Sequence, residues 1–233
     1  MIDHVTGKVV VVTGASSGIG RATAILLAAR GARLMLGARR EQRLAALCDE
    51  ITRSGGEAGY RVADMRRAAD VASLVAAAML RFGRIDVLVN NAADTRLGLL
   101  VDGRPEDWSD QIDANIKGPL YGIAAVLPRM IEQGSGHIIN VASTLGFSVI
   151  RTSAVYSATK FALRAIAEGV RIEAGPPVRS TLIVPGAVAT EVKTTVPYHL
   201  PAEAIARAIL YAIDQPDDVD VNEVVVRPIE QPN

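Results

Sequence analysis

Lys8-Val9-Val10-Val11-Val12-Thr13-Gly14-Ala15-Ser16-Ser17-Gly18-Ile19-Gly20 is the stretch that decides the fold class. The valine run shows no polar alternation, so it reads as a strand buried on both faces, the habit of parallel sheets covered by helices. A glycine-rich turn follows at once and opens a helical window. Glycines in that place permit tight turning and let backbone amides approach a pyrophosphate, whose charge a helix N-terminus favours. The spacing is G-x-x-x-G-x-G rather than G-x-G-x-x-G, and the Lys-Ser/Thr ending of a nucleotide triphosphatase loop is missing. A glycine cluster alone is weak evidence, since a structural turn also accounts for it. Its position between strand and helix is what points to phosphate.

Working outward, short β-branched runs alternate with longer helical patterns. Leu34-Met35-Leu36, Ile85 to Val89, His137 to Val141, Ser180 to Val184 and Val224-Val225-Val226 repeat the strand theme, and a short strand-like stretch precedes Asp64. Helical windows fill Gly20 to Arg30, Glu41 to Ser54, Ala68 to Phe82, Pro105 to Gln133, Val155 to Ala174 and Pro201 to Asp214. This alternation implies parallel strands joined by crossover helices. The expected fold is a single-domain α/β architecture over residues 1–233, a Rossmann-type doubly wound parallel sheet with helices on both faces.

Composition excludes several other classes. The 233 residues are 49% hydrophobic and 21% charged, enough to bury a core without disulfide or metal. Lys+Arg and Asp+Glu number 25 each, so the basic excess of proteins that live on DNA or anionic membranes is missing. Aromatic residues are only 4%, leaving few platforms for stacking single-stranded nucleic acid. The lone Cys48 excludes a disulfide framework and Cys-based zinc sites and fits a reducing compartment. No run approaches the roughly eighteen apolar residues of a membrane span, and Met1 to Lys8 lacks the pattern of a secretory signal. The expectation is a cytoplasmic protein with no nucleic-acid or membrane partner. His4, His137 and His199 are scattered without metal spacing.

The ordered motifs together resemble the short-chain dehydrogenase/reductase family. They are Thr13 to Gly20, Asn90-Asn91-Ala92-Ala93, Asn115, Ser143, Tyr156-Ser157-Ala158-Thr159-Lys160, and Pro185-Gly186 followed by Thr190. The resemblance runs from about Lys8 to Pro228. It implies a nicotinamide dinucleotide held by Gly14, Ser16, Ser17, Gly18, Ile19 and Gly20, with Asn91, Ala92 and Ala93 offering backbone. Asn90 would tie strands together. Ala93 departs from the family's usual glycine and places a methyl beside cofactor-facing backbone. By the same resemblance Asp64 meets the adenine amino group, Met65 lines its pocket, and Pro185, Gly186, Val188 and Thr190 fix the nicotinamide carboxamide. At the end of the second strand NAD enzymes carry an acid for the ribose hydroxyls. Here Ala38 is followed by Arg39 and Arg40, whose guanidinium groups suit a 2′-phosphate. NADP(H) is therefore favoured over NAD(H); the alternative is that both arginines solvate a loop.

Tyr156 and Lys160 are four apart in a helical window and share a face. An unperturbed phenol, with a pKa of about 10, is a poor base at neutral pH. A nearby ammonium and an oxidised nicotinamide are expected to lower that value. The resemblance then assigns Tyr156 as proton donor or acceptor, Lys160 as ribose contact and electrostatic bias, Ser143 as partner of the substrate oxygen, and Asn115 as support for a proton-relaying water.

The expected reaction is reduction of an aldehyde or ketone to an alcohol, or its reverse, by direct hydride transfer. The closing stretch Val221 to Pro228 resembles the branch acting on small hydroxy acids, aldehydes and ketones. Candidate pocket residues are Asp94, Thr95, Arg96, Leu145, Phe147, Ile150 and Arg151, under a short lid near 190–200. A non-enzymatic NADP(H)-binding sensor on the same fold, and epimerisation or dehydration with bound cofactor, are the alternatives. Relatives pair their long helices, so a homodimer or homotetramer is expected.

Overall fold

The unbroken apolarity of the valine run has its cause in a sheet that surrounds it. The computed structural model describes residues 3–191 and 197–231. In chain order the elements are β1 (Val9–Thr13), α1 (Gly18–Ala29), β2 (Arg33–Ala38), α2 (Glu41–Arg53), β3 (Glu57–Val62), α3 (Ala68–Phe82) and β4 (Val87–Asn90). Then follow α4 (Pro105–Ile112), α5 (Gly118–Gln133), β5 (Gly136–Val141), α6 (Ala154–Ala174), β6 (Val178–Pro185), α7 (Ala202–Ile213) and β7 (Glu223–Val226). The seven strands form one sheet in the order β3-β2-β1-β4-β5-β6-β7, and every ladder is parallel.

Alternate residues of a strand point to opposite faces, and β1 shows this directly. Val10 and Val12 pack with Leu27 of α1, Leu44 and Leu47 of α2, and Ile205 and Ile209 of α7. Val11 faces the other layer, with Leu74 of α3, Val126 of α5 and Val170 of α6. Helices therefore cover both faces, as the continuous valines require. The strand order runs one way from β1 to β2 and the other way from β1 to β4. Such a switch point opens a crevice at the carboxyl ends of the strands.

The helical window Pro105 to Gln133 is interrupted. Between α4 and α5, residues Asp113–Lys117 form a π-helical turn. Pro119 has no N–H to donate back along the helix, and Asn115 turns its side chain into buried contacts. Single π turns of this kind concentrate at functional sites. Cys48 of α2 is buried, and burial pushes its thiol up to about 11, which makes it a packing residue.

His137 of β5 lies at the opposite end of the sheet from the crevice, 2% exposed. Thr181 donates its hydroxyl to the Val221 carbonyl at 2.6 Å, so that oxygen accepts from His137 Nε2 at 2.8 Å. Nδ1 then has no partner among the described residues. Burial, reinforced by the positive charges of Arg179 and Lys8, holds the imidazole well below its ordinary pKa. The folded chain keeps it neutral while the unfolded chain binds a proton below about pH 6.5, so stability is present above that pH and lost as pH falls. Urea titrations should show unfolding free energy falling by as much as about 1.4 kcal/mol per pH unit between roughly pH 6 and 5. His137→Gln should remove most of that slope; an unchanged slope would refute the assignment.

Candidate functional site

A groove of about 1160 Å³ runs along the carboxyl ends of the strands, larger than most small-molecule sites, which span roughly 300–1,000 Å³. Its floor is built where β1 enters α1. Gly14 and Gly18 have φ of +67° and +52°, a region that side chains disfavour. A Cβ on Gly14 would come within 2.8 Å of the Ala92 Cα, and one on Gly18 within 3.1 Å of the Thr190 methyl. Only glycine lets the chain pass so close to both neighbours. Gly20 does not line the groove; a Cβ there would meet the Gly14 carbonyl at 2.5 Å, so it serves the packing of helix against turn.

Ser17 occupies the N-cap of α1, yet its side chain does not cap the helix, and no acidic residue sits in the first turn. The free N–H groups and positive dipole end of α1 therefore face the groove without an internal partner from a cap, the condition under which an anion binds. A dinucleotide pyrophosphate fits this cradle.

Thr13 holds the cradle against β4. Its hydroxyl donates to the Val89 carbonyl at 3.2 Å and accepts from the amides of Asn91 at 3.0 Å and Ala92 at 3.1 Å. Asn91 Nδ2 donates back to the Thr13 carbonyl at 2.8 Å. The expectation that this segment offers its backbone to a cofactor is thereby narrowed, because the N–H groups of Asn91 and Ala92 are already committed to Thr13. Asn90 Nδ2 donates to Asn140 Oδ1 at 3.0 Å across β4 and β5. Ala93 is exposed on the groove wall, and Thr152 alone among the described non-glycine residues has positive φ. Ala93 thus stands at a backbone angle open to any residue, with its methyl on an exposed surface.

Arg39, Arg40, Asp64 and Met65 line one end of the groove. Arg40 reaches back to the glycine turn, donating to Ser16 Oγ at 2.9 Å and Ser17 Oγ at 2.5 Å. It also pairs with Glu191 at 2.6 Å. Asp64 pairs with Arg66 at 2.6 Å, and Arg66 with Asp110 of α4 at 2.8 Å. That hydrogen-bonded pair holds the Asp64 carboxyl below its usual range.

Ser143, Tyr156 and Lys160 line the other end. Lys160 is 2% exposed and donates to the carbonyl of Val141, the last residue of β5, at 2.9 Å. Its ammonium lies 5.7 Å from the Tyr156 ring centroid. The sequence-based expectation has an ammonium and an oxidised nicotinamide lower the phenol's pKa together, and desolvation by the chain's own atoms acts in the opposite sense. Desolvation pushes Tyr156 up to about 12, and the hydrogen bond with Ser143 only partly opposes this. Burial likewise pushes Lys160 down to about 8. Desolvation thus drives each group toward its neutral form.

Asn115 lies behind the groove rather than on its surface. It accepts from the Asp94 amide at 2.7 Å, donates to the Asp94 carbonyl at 2.8 Å, and donates to Thr159 Oγ1 at 3.1 Å. Thr159 in turn donates to the Tyr156 carbonyl at 2.7 Å. The π turn, the segment after β4 and the first turns of α6 are thus one bonded unit.

Pro185, Gly186, Val188 and Thr190 continue the wall. A residue that no motif reveals holds them. Gln231 Oε1 accepts from the Ala187 amide at 3.0 Å, and its Nε2 donates to Thr144 Oγ1 at 3.3 Å. A Cβ on Gly186 would lie 2.2 Å from that Oε1. Among the pocket candidates, Asp94, Thr95, Leu145, Phe147 and Ile150 line the groove, whereas Arg96 and Arg151 do not. The Arg96 guanidinium is committed to Asp94, Asp107 and Asp110. Of the expected lid, residues 192–196 lie outside the described residues; its ends are joined by pairing of Val188 with Leu200, and Tyr198 lines the groove. Among the described residues no cluster of His, Cys, Asp and Glu is placed to hold a metal ion. No helix among the described residues is long and apolar enough to cross a membrane.

A short chain dehydrogenase family model matches residues 8–200. The chain is 44% identical to an uncharacterised oxidoreductase of Staphylococcus saprophyticus, across 99% of both proteins. It is similar to a crystal structure of an alcohol dehydrogenase from the archaeon Thermococcus sibiricus complexed with 5-hydroxy-NADP. The TM-score is 0.91 at 33% identity, covering 97% of this chain and 98% of that one. A short chain dehydrogenase/reductase of Burkholderia phymatum in complex with NAD superposes with a TM-score of 0.87 at 28% identity, covering 97% and 90%.

The Thr13 hub gives a direct test. Thr13→Val keeps the shape but strands two amides, so it should lower unfolding free energy by about 2–4 kcal/mol. Thr13→Ser should restore most of it. A neutral valine variant in chemical denaturation would show that water satisfies those donors.

Proposed function

The chain belongs to the short-chain dehydrogenase family, and on that footing we propose that it is an NADP(H)-dependent oxidoreductase that reduces an aldehyde or ketone to an alcohol, or runs the reverse. The observation that carries the reading is the Tyr156 phenol hydrogen-bonded to Ser143, with buried Lys160 one turn away, at the far end of a groove from an uncapped helix N-terminus. Arg39 and Arg40, with no acid at the end of β2, support NADP(H). So does the NADP derivative in the Thermococcus enzyme, while the NAD in the Burkholderia protein shows that the fold alone does not choose.

When bound, the nicotinamide supplies or takes a hydride at carbon. The chain's own residues do the rest. Gly14 to Gly20 and the end of α1 hold the pyrophosphate, Asp64 and Met65 the adenine, and Asn91 to Ala93 with Pro185 to Thr190 the remainder. Ser143 donates to the substrate oxygen and steadies charge as it develops. Tyr156 gives that oxygen a proton during reduction. Its raised pKa keeps the phenol protonated at neutral pH, which suits an acid more than a base. Lys160 holds the nicotinamide ribose and, with its pKa lowered to about 8, exchanges protons near physiological pH. Asn115 positions the relay through Asp94 and α6. The substrate mouth is lined by Leu97, Leu145, Phe147 and Ile150. With Arg96 already paired, that mouth favours uncharged carbonyl compounds bearing apolar substituents.

The chain works as one catalytic unit with a short lid. Ile112, Leu120 and Phe161 expose large apolar side chains on α4, α5 and α6, the surface through which we infer a homodimer or homotetramer. Sedimentation should show no monomer at micromolar concentration; a strictly monomeric profile would overturn this.

NADPH consumption over a panel of aldehydes and ketones should reveal turnover that Tyr156→Phe reduces by at least about a hundredfold, with NADPH binding retained. Unchanged activity in that variant would remove the proposed acid. Reduction should stay flat from about pH 6 to 8, where the phenol remains protonated. Oxidation should climb with pH as phenolate becomes available; a pH-independent oxidation rate would count against Tyr156 as the base.

A further inference from the structure

The NADP(H) reading leaves one charged contact unexplained, and it lies in the groove itself. The Arg40 guanidinium uses its Nε and Nη2 on Ser16 Oγ, at 3.1 and 2.9 Å, and Nη2 also on Ser17 Oγ at 2.5 Å. Its Nη1 donates to one oxygen of Glu191 at 2.6 Å. The other Glu191 oxygen accepts from Arg43 of α2. Arg40 and Arg43, at the start of α2, thus meet on the carboxylate of the residue after Thr190, and Arg40 ties both to the glycine turn. Arg40 and Glu191 both line the groove. The two guanidinium groups hold the Glu191 carboxyl below its usual range.

Carboxylates and phosphate monoesters are alternative ligands for the same guanidinium fork. We propose that Glu191 is an internal rival of the 2′-phosphate of NADP(H), its carboxylate holding Arg40 and Arg43, and that it thereby sets how strongly the chain distinguishes NADP(H) from NAD(H). A 2′-phosphate must displace this carboxylate to reach Arg40, whereas a ribose lacking that phosphate leaves the clasp intact. Arg43, which does not itself line the groove, is released from Glu191 at the same moment and adds positive charge behind Arg40. Both sides of the clasp are about half exposed to solvent, so its effect is moderate and screened by salt.

The inference rests on the NADP(H) reading, and the experiment separates the two. The probes are adenosine 2′,5′-bisphosphate and adenosine 5′-monophosphate, titrated calorimetrically into the full chain without nicotinamide or substrate. Glu191→Gln should tighten binding of the bisphosphate by about three- to fivefold at low ionic strength, with less gain at about 0.5 M salt. Binding of the monophosphate should be unchanged. In an Arg40→Gln/Arg43→Gln background the Glu191 substitution should have no effect. If Glu191→Gln leaves the bisphosphate unchanged or weakens it, while the unsubstituted chain still prefers the bisphosphate, the rivalry is wrong and Glu191 instead orients Arg40. If the unsubstituted chain does not prefer the bisphosphate at all, the NADP(H) reading itself falls, and this inference with it.

Discussion

β1 is hydrogen-bonded to β2 on one side and β4 on the other, and both its faces are buried under helices. The chain leaving it at Thr13 can escape only past the carboxyl edge of the sheet. There it must turn within a few residues into a helix that packs back onto the strands. Glycine is required because neighbouring backbone lies under 3 Å from where a Cβ would stand at Gly14 and Gly20. The Thr13 hydroxyl closes the same edge by holding the segment after β4. The groove, its uncapped helix end and its walls all follow from how this one strand is enclosed.

Burial also governs the chemistry at the other end. Spacing alone places Tyr156 beside Lys160 and suggests an ammonium that acidifies a phenol. In the folded chain both groups are desolvated, and each is driven toward its neutral form. The phenol's pKa stands well above the amine's, so an ammonium at Lys160 reprotonates a phenolate at Tyr156 downhill, while the reverse transfer runs uphill. That asymmetry suits the proposed reduction, in which the phenol gives up its proton and is then recharged, more than it suits oxidation.

Much of this was legible along the chain because the relevant physics is local. Continuous valines require cover on both faces, G-x-x-x-G-x-G after a strand requires a tight turn into a helix, and a four-residue interval puts Tyr156 and Lys160 on one face. The π turn at Asp113–Lys117 was not legible, since helical periodicity continues through it and only the inward contacts of Asn115 reveal it. Gln231 was missed because it carries no motif, and it reaches Ala187 and Thr144 only once β7 has been laid beside β6. Nearness in sequence to motif residues points to Arg96 and Arg151, yet neither lines the groove, and the Arg96 guanidinium is held by Asp94, Asp107 and Asp110.

By itself, the sequence determined the parallel sheet, the position of the glycine turn and the shared helical face of Tyr156 and Lys160, whereas Asp64, Asn115 and Ser143 came only through the family resemblance. It did so because strand burial, turn geometry and helical spacing act over a few residues. Only the tertiary structure decided which charges meet. Glu191 lies 151 positions from Arg40 along the chain, and the fold brings Ser143, beyond the end of β5, onto Tyr156 of α6. Electrostatics and desolvation depend on distance through space and on what excludes water, and neither quantity is written in the order of residues.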